Sequence, residues 1–291
     1  MPSRIAWMLA VTLAVGGCHA SRPAALPDGA ARPAGTPSFE NVHAALWTAS
    51  AVEFRASAEQ AYRLAHLQLD RALADTSWTA ALEQTGSFGG LRPAIILDAD
   101  ETVLDNLAYQ ARLILSGTMY AAETWDAWVA EAAATAIPGA LEFTRYAASK
   151  GVRVVYLTNR DGKGEAATRR NLAALGFPLT DDPDVVLTQN ERPEWRASDK
   201  GPRRAHVAAS HRIVLLVGDN LGDFLSDRRA DLAGRDSLYA AHAPWWGERW
   251  IMLPNPQYGS WESAAFGHDY ALSPEDRMAR KLELIGRRAI R

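Results

Sequence analysis

Ile95-Ile96-Leu97-Asp98-Ala99-Asp100-Glu101-Thr102-Val103-Leu104-Asp105-Asn106 is an apolar run that ends in four acids within eight residues. Residues 94–97 show no polar alternation and follow Gly89, Gly90 and Pro93, so they read as a strand covered on both faces. Asp98 and Asp100 then stand at its C-terminal end, the edge of an open parallel α/β sheet where ligands bind. Two carboxylates about 4 Å apart repel by roughly 4 kcal/mol at an effective dielectric near 20, and a divalent cation removes that cost. A lone D-x-D is otherwise an ordinary pair of solvated loop acids. Three further segments separate the two readings.

The first is Gly151-Val152-Arg153-Val154-Val155-Tyr156-Leu157-Thr158-Asn159-Arg160-Asp161-Gly162, a second strand expected to end in Thr158-Asn159. Pro138 and Gly151 bracket the helix that leads into it. A hydroxyl and an amide at a strand end can donate to phosphate oxygens; capping of the helix that begins near Gly164 is the alternative. The second segment is a strand over residues 185–188 followed by the polar stretch 189–204, which carries Lys200 at a predicted helix start, with Arg160 and Lys163 as rival cations. The third is the strand over residues 211–217, which runs into Gly218-Asp219-Asn220-Leu221-Gly222-Asp223 and puts Asp223 on the first turn of the next helix.

Three strands thus present Asp98 with Asp100, Thr158, and Asp219 with Asp223 at one kind of edge. An acid-rich set without His or Cys suits a hard, oxygen-ligated Mg²⁺ rather than Zn²⁺. The histidines form no ligand pair; His206 and His211 read as lying on different faces of one helix.

Outside this frame, residues 1–18 have the form of an export signal: a basic start, an apolar run too short to span a bilayer, and Val15-Gly16-Gly17-Cys18. That site resembles the lipobox of bacterial lipoproteins, in which the cysteine is lipidated; a plain cleaved signal with an incidental cysteine is the alternative. Cys18 is the only cysteine, so no disulfide is expected. Residues 19–38, rich in Ala, Pro and Gly, read as a flexible tether spanning roughly 25 Å. Residues 39–291 then suit one α/β domain. A net charge of −3 with only four lysines does not favour binding to a nucleic-acid polymer.

Residues 39–84 carry apolar side chains at helical spacing (Leu46, Ala49, Ala51 and Phe54, then Ala61, Tyr62, Ala65, Leu69 and Leu73) and predict two helices packing on the later sheet. Trp47, Tyr62 and Trp78 read as packing residues. Residues 250–253 predict a short strand, and residues 274–290 a charged amphipathic helix. The expected fold is a three-layer, Rossmann-like α/β core around a parallel sheet, with a smaller helical part.

The ordered set Asp98-Ala99-Asp100-Glu101-Thr102, Thr158-Asn159-Arg160, Lys200 and Gly218-Asp219-Asn220-Leu221-Gly222-Asp223 resembles the haloacid dehalogenase (HAD) superfamily of phosphotransferases. The string Asp100-Glu101-Thr102-Val103-Leu104-Asp105-Asn106-Leu107-Ala108-Tyr109 behind a lipobox looks like the class C acid phosphatases, bacterial lipoproteins that include nucleoside 5'-monophosphatases. Ala99 stands where a bulkier aliphatic is expected and Thr158 where serine is also common; neither removes a functional group.

The resemblance implies a Mg²⁺-dependent phosphomonoesterase. In it Asp98 is the nucleophile and Asp100 the general acid and base. Thr158, Asn159 and Lys200 hold the phosphoryl group. Asp98, the Asp100 carbonyl and Asp219 ligate the metal, and Asp223 orients its shell. It also implies an inserted cap over about residues 107–137, stacking of an aromatic leaving group between Trp125 and Tyr258, a small-molecule phosphomonoester as substrate, a homodimer, and lipid anchoring to the cell envelope at the outer membrane. For the two rings, core packing is the competing reading. A non-catalytic surface lipoprotein that binds a ligand or partner, and a phosphorylated receiver domain, are the competing functions; phosphate release under turnover separates the enzyme from both.

Overall fold

The computed structural model describes residues 40–289. Cys18, the export signal and the tether of residues 19–38 lie outside the described residues. The chain opens with helices α1 (Val42–Ser50) and α2 (Val52–Ala74), followed by strand β1 (Arg92–Leu97). A small insertion follows: β2 (Leu104–Asp105), α3 (Leu107–Ser116), α4 (Ala122–Glu131) and β3 (Thr135–Ala136). Then come α5 (Ala140–Ser149), β4 (Arg153–Asp161), α6 (Glu165–Leu175), β5 (Val186–Gln189), α7 (Gly201–Ala208) and β6 (His211–Gly218). The last elements are α8 (Leu221–Phe224), α9 (Leu232–Ala241), β7 (Trp250–Met252), α10 (Ser260–Ala264) and α11 (Pro274–Ala289).

The sheet is wholly parallel, in the order β5-β4-β1-β6-β7. Side chains alternate across β1. Ile95 and Leu97 face a layer that includes Tyr62 of α2, Phe143 of α5 and Leu172 of α6. Ile96 faces Val207 of α7 and Phe224 of α8. Both faces are therefore covered, which is why the strands read as unbroken apolar runs. The chain builds outward from β1 through β4 to β5, then returns to add β6 and β7 on the other side. That reversal opens a crevice between the C-terminal ends of β1 and β6.

The two N-terminal helices have different fates. Helix α2 packs on α5, β6 and β7 as part of the core layers, whereas α1 packs on α3 of the insertion. The expected apolar stripe fails on α1: Leu46 and Ala49 are exposed, and the buried side chains are Ala45 and Thr48. Ala51 is extended between the helices, so the helical phase restarts there and one stripe cannot run through both. Trp47, Tyr62 and Trp78 do pack. Tyr62 donates to the Thr102 carbonyl at 2.6 Å and Trp78 Nε1 to the Val214 carbonyl at 2.9 Å, so each buried polar tip is satisfied.

Two local expectations are corrected. Strand β4 does not stop at Thr158-Asn159 but continues to Asp161. Its pairing with β5 lapses after Leu157 and resumes at Asp161 opposite Gln189, which releases Thr158, Asn159 and Arg160 from the regular ladder. His206 and His211 do not share a helix. His211 opens β6, while His206 sits on α7 with its ring nitrogen 3.0 Å from Asp184.

Candidate active site

Strand β1 delivers Asp98 to the crevice, where its backbone N–H donates to the Val217 carbonyl of β6 at 2.9 Å. Strand β6 ends at Gly218, and a Cβ there would lie 2.4 Å from the Cβ of Asp223, so only glycine leaves room for that side chain. Asp223 also fastens α8: its Oδ2 accepts from the Asn220 N–H at 2.8 Å in a capping box. Lys200 stands at the N-cap of α7 and is 5 % exposed. Its ammonium donates to Asp98 and, at 2.7 Å, to Asp223.

Oxygens of Asp98, Asp219 and Asp223 lie within 4.8 Å of one another. At an effective dielectric near 20, each such pair of ionised groups repels by roughly 3 kcal/mol or more. Lys200 supplies one positive charge to three carboxylates. The donor set is all oxygen and carries surplus negative charge, which fits a divalent cation. Burial pushes the Asp98 carboxyl well up, with Asp223, Asp219 and Asp100 adding to the shift and Lys200 opposing it.

Asp219 accepts from Thr102 Oγ1 at 3.1 Å and from Asn255 Nδ2 at 2.9 Å. Burial, and then the Asp223 charge, push its carboxyl up to about 7. A carboxyl that holds its proton more tightly when folded contributes stability fully present below the ordinary aspartate value near 4, and that contribution is lost as pH rises through about 7. A divalent cation offsets the loss above that pH and must displace a proton below it. The rise in unfolding temperature produced by saturating Mg²⁺ is therefore expected to be larger at about pH 8 than at about pH 5.5. Equal rises in thermal scans at the two pH values would contradict this assignment of the cluster.

Asp100 is turned to other partners. Its Oδ1 accepts from Arg160 Nε at 2.9 Å, Arg160 Nη2 at 2.8 Å and Asn106 Nδ2 at 3.0 Å, and its Oδ2 from Thr158 Oγ1 at 3.1 Å. Arg160 is 2 % exposed and also donates to Thr168 and to Asn106 Oδ1, while Asn106 Oδ1 accepts from Trp128 of α4. Of the rival cations, Arg160 therefore belongs to Asp100, and Lys163 pairs with Asp126 on the insertion. Thr158 is fully buried; Asn159 is exposed and donates to the Ser198 carbonyl at 3.0 Å. Arg203 clamps both residues, donating to the Thr158 carbonyl and to Asn159 Oδ1.

Trp125 lies on α4 with its ring 5.1 Å from that of Tyr109 and 5.6 Å from the Arg160 guanidinium carbon. Tyr258 lies in the loop before α10, and its N–H donates to Asn255 Oδ1, so the residue that reaches Asp219 also fixes this loop. Sequence reasoning gave no role to Arg203, Asn106, Asn255 or Thr102. Asn106 closes the opening string and Asn255 sits beside Tyr258, but neither type signals chemistry alone.

Residues 38–261 match the profile of the HAD superfamily, subfamily IIIB (acid phosphatase). The chain belongs to that family. Members of this acid phosphatase family are phosphoric monoester hydrolases, and their fold is the one described above. The class C acid phosphatase from Bacillus anthracis is 34 % identical with a TM-score of 0.75, and the alignment covers 85 % of this chain and 97 % of that one. The same enzyme with tungstate bound gives 33 % identity and a TM-score of 0.74, covering 84 % and 96 %. The stem 31 kDa glycoprotein of Glycine max is 26 % identical over 168 residues, 56 % of this chain, which spans 58 % of that protein's length. Acid phosphatase 1 of Solanum lycopersicum is 27 % identical over 194 residues, 66 % of this chain and 68 % of that one.

Proposed function

We propose that the protein is a Mg²⁺-dependent phosphomonoesterase that works through an aspartyl-phosphate on Asp98, with nucleoside 5'-monophosphates and aryl phosphates as substrates. The observation that carries this reading is the buried Lys200 ammonium held between Asp98 and Asp223, beside Asp219. The tungstate complex of the Bacillus anthracis relative supports it, because tungstate is a tetrahedral oxyanion like phosphate.

An anionic nucleophile approaches a dianionic ester only where positive charge is fixed in advance. Lys200 provides part of it; Asp98, the Asp100 carbonyl and Asp219 would hold a Mg²⁺ ion that would supply the rest, and Asp223 holds Lys200 and would orient the metal shell. The Asp98 oxygen attacks phosphorus and the ester oxygen leaves with a proton from Asp100. Asp100 then takes a proton from the water that attacks the acyl phosphate, which releases inorganic phosphate and restores Asp98. Thr158 and the Asn159 backbone hold phosphoryl oxygens. Asp100 Oδ1 is filled by the Arg160 fork and Asn106, so the proton it delivers is carried on Oδ2, whose bond from the Thr158 hydroxyl has to be given up for that step.

Phosphate release from adenosine 5'-monophosphate and p-nitrophenyl phosphate, measured with Mg²⁺ and with EDTA, tests the activity. Release that depends on Mg²⁺ is expected from both; no release from either overturns the reading.

Trp125 and Tyr258 are proposed to flank an aromatic leaving group. An aromatic contact is worth about 0.5–1.5 kcal/mol beyond burial. Trp125→Ala is therefore expected to raise KM for adenosine 5'-monophosphate by about tenfold and to change that for glycerol 2-phosphate by less than about twofold. An equal rise for both esters would remove the stacking role.

A further inference from the structure

A cleft of about 1130 Å³ opens between the 196–199 segment, the 226–230 segment and α9. Arg196, Arg228 and Arg229 line it, together with Asp199 and Asp227. Half-buried Arg192 has Asp184 and buried Arg204 has Glu83; of the cleft arginines Arg228 is half-buried, and Arg196 and Arg229 are exposed. None of the three cleft arginines has a carboxylate within ion-pair distance among the described residues. Arg228 donates only to Ser198 Oγ. Burial and the neighbouring Arg229 charge lower its proton affinity, and Tyr270, Asp199 and Asp223 oppose that shift. Asp199 accepts from the Gly201 N–H through Oδ1 at 2.9 Å, and its charge also acts on Arg228.

The wall between this cleft and the catalytic aspartates is thin. The Ser198 carbonyl accepts from Asn159, and Lys200, two residues further, holds Asp98. Ser226 presses on the start of α7 so closely that a Cβ on Gly201 would stand 2.4 Å from its hydroxyl. Anything bound in the cleft therefore touches the segment that positions Lys200.

Planar guanidinium forks match phosphate oxygens, and the three here outnumber the two carboxylates of the lining, Asp199 and Asp227. The volume suits a small molecule rather than an ion alone. We propose that the cleft is a second binding site, separate from the catalytic aspartates, for the phosphate groups of a polyanionic small molecule. The source is either a second phosphate on the substrate itself or a separate phosphorylated effector.

Methylenediphosphonate, whose P–C–P bridge resists hydrolysis, serves as probe in titration calorimetry with EDTA present. The proteins compared are the wild type, the double variant Arg196→Ser/Arg229→Ser, and Thr158→Val. Both arginines are exposed, so their removal leaves the packing intact, and circular dichroism checks this. The double variant is expected to bind at least about tenfold more weakly, whereas Thr158→Val binds like the wild type. Wild-type affinity in the double variant, or a loss confined to Thr158→Val, overturns the proposal; the latter means that the probe sits at the catalytic site.

Kinetics then separates the sources. If the anion belongs to the substrate, a nucleoside 3',5'-bisphosphate has a lower KM than the 5'-monophosphate, and the difference disappears in the double variant. If it belongs to an effector, methylenediphosphonate changes kcat for p-nitrophenyl phosphate at saturating substrate. The binding result stands even where no ester is turned over, so failure of the phosphatase reading is distinguishable from failure of this one.

Discussion

Replacing Asp98 with Asn is expected to lower phosphate release by at least about 10⁴-fold, which is about 5 kcal/mol of lost barrier lowering. The amide keeps the shape of the carboxylate and can still accept from Lys200, but it is no nucleophile. Because the carboxyl is buried beside three other acids and held well above its ordinary range, removing its charge also removes repulsion. The unfolding midpoint of Asp98→Asn in metal-free buffer should therefore equal or exceed that of the wild type. Steady-state phosphate release and a denaturation curve measure the two parts. Retained turnover would sink the nucleophile assignment. Lost turnover with a collapsed midpoint would reduce Asp98 to a structural residue.

The second large effect belongs to Lys200. Its ammonium is nearly inaccessible and bridges two acids. Removing one partner of a buried ion pair costs about 3–5 kcal/mol, because the other charge is left uncompensated. Lys200→Ala leaves Asp98, Asp219 and Asp223 within 4.8 Å of one another with no cation among them. A loss of that size is expected in urea denaturation with EDTA, and saturating Mg²⁺ should return part of it by meeting the same carboxylates. An unchanged midpoint would mean that the acids are protonated or solvated in the absence of Lys200, contrary to the buried bridge. Activity should fall with stability at every Mg²⁺ concentration, since the metal restores charge to the cluster but not the donor to the phosphoryl oxygens.

The parallel sheet and the residues at its edge were legible because burial on both faces writes itself as uninterrupted aliphatic runs, and an acid directly after such a run has few structural uses. Asp98, Asp219 and Asp223 were readable on that ground, and the family resemblance added Lys200. Less visible were residues whose work depends on tertiary partners. Arg203 sits three positions after Lys200 in a stretch with several arginines, and nothing in sequence distinguishes the one that turns inward to grip Thr158 from those that face solvent. Arg160 was noted as a cation, but its fork on Asp100 depends on the lapse in pairing between β4 and β5. The α1 stripe misled because a single extended residue, Ala51, resets helical phase without any glycine or proline to announce it.

Asn255 gives the Tyr258 loop and the aspartate cluster a common anchor, since one amide side chain touches Asp219 through its nitrogen and the Tyr258 loop through its oxygen. On the proposed function, recognition and turnover are therefore coupled through this one residue. A lineage that remodels the Tyr258 loop also disturbs the seat of Asp219. Changes of specificity have easier access through the α4 side of the site, where Trp125 rests on a guanidinium rather than on the cluster itself.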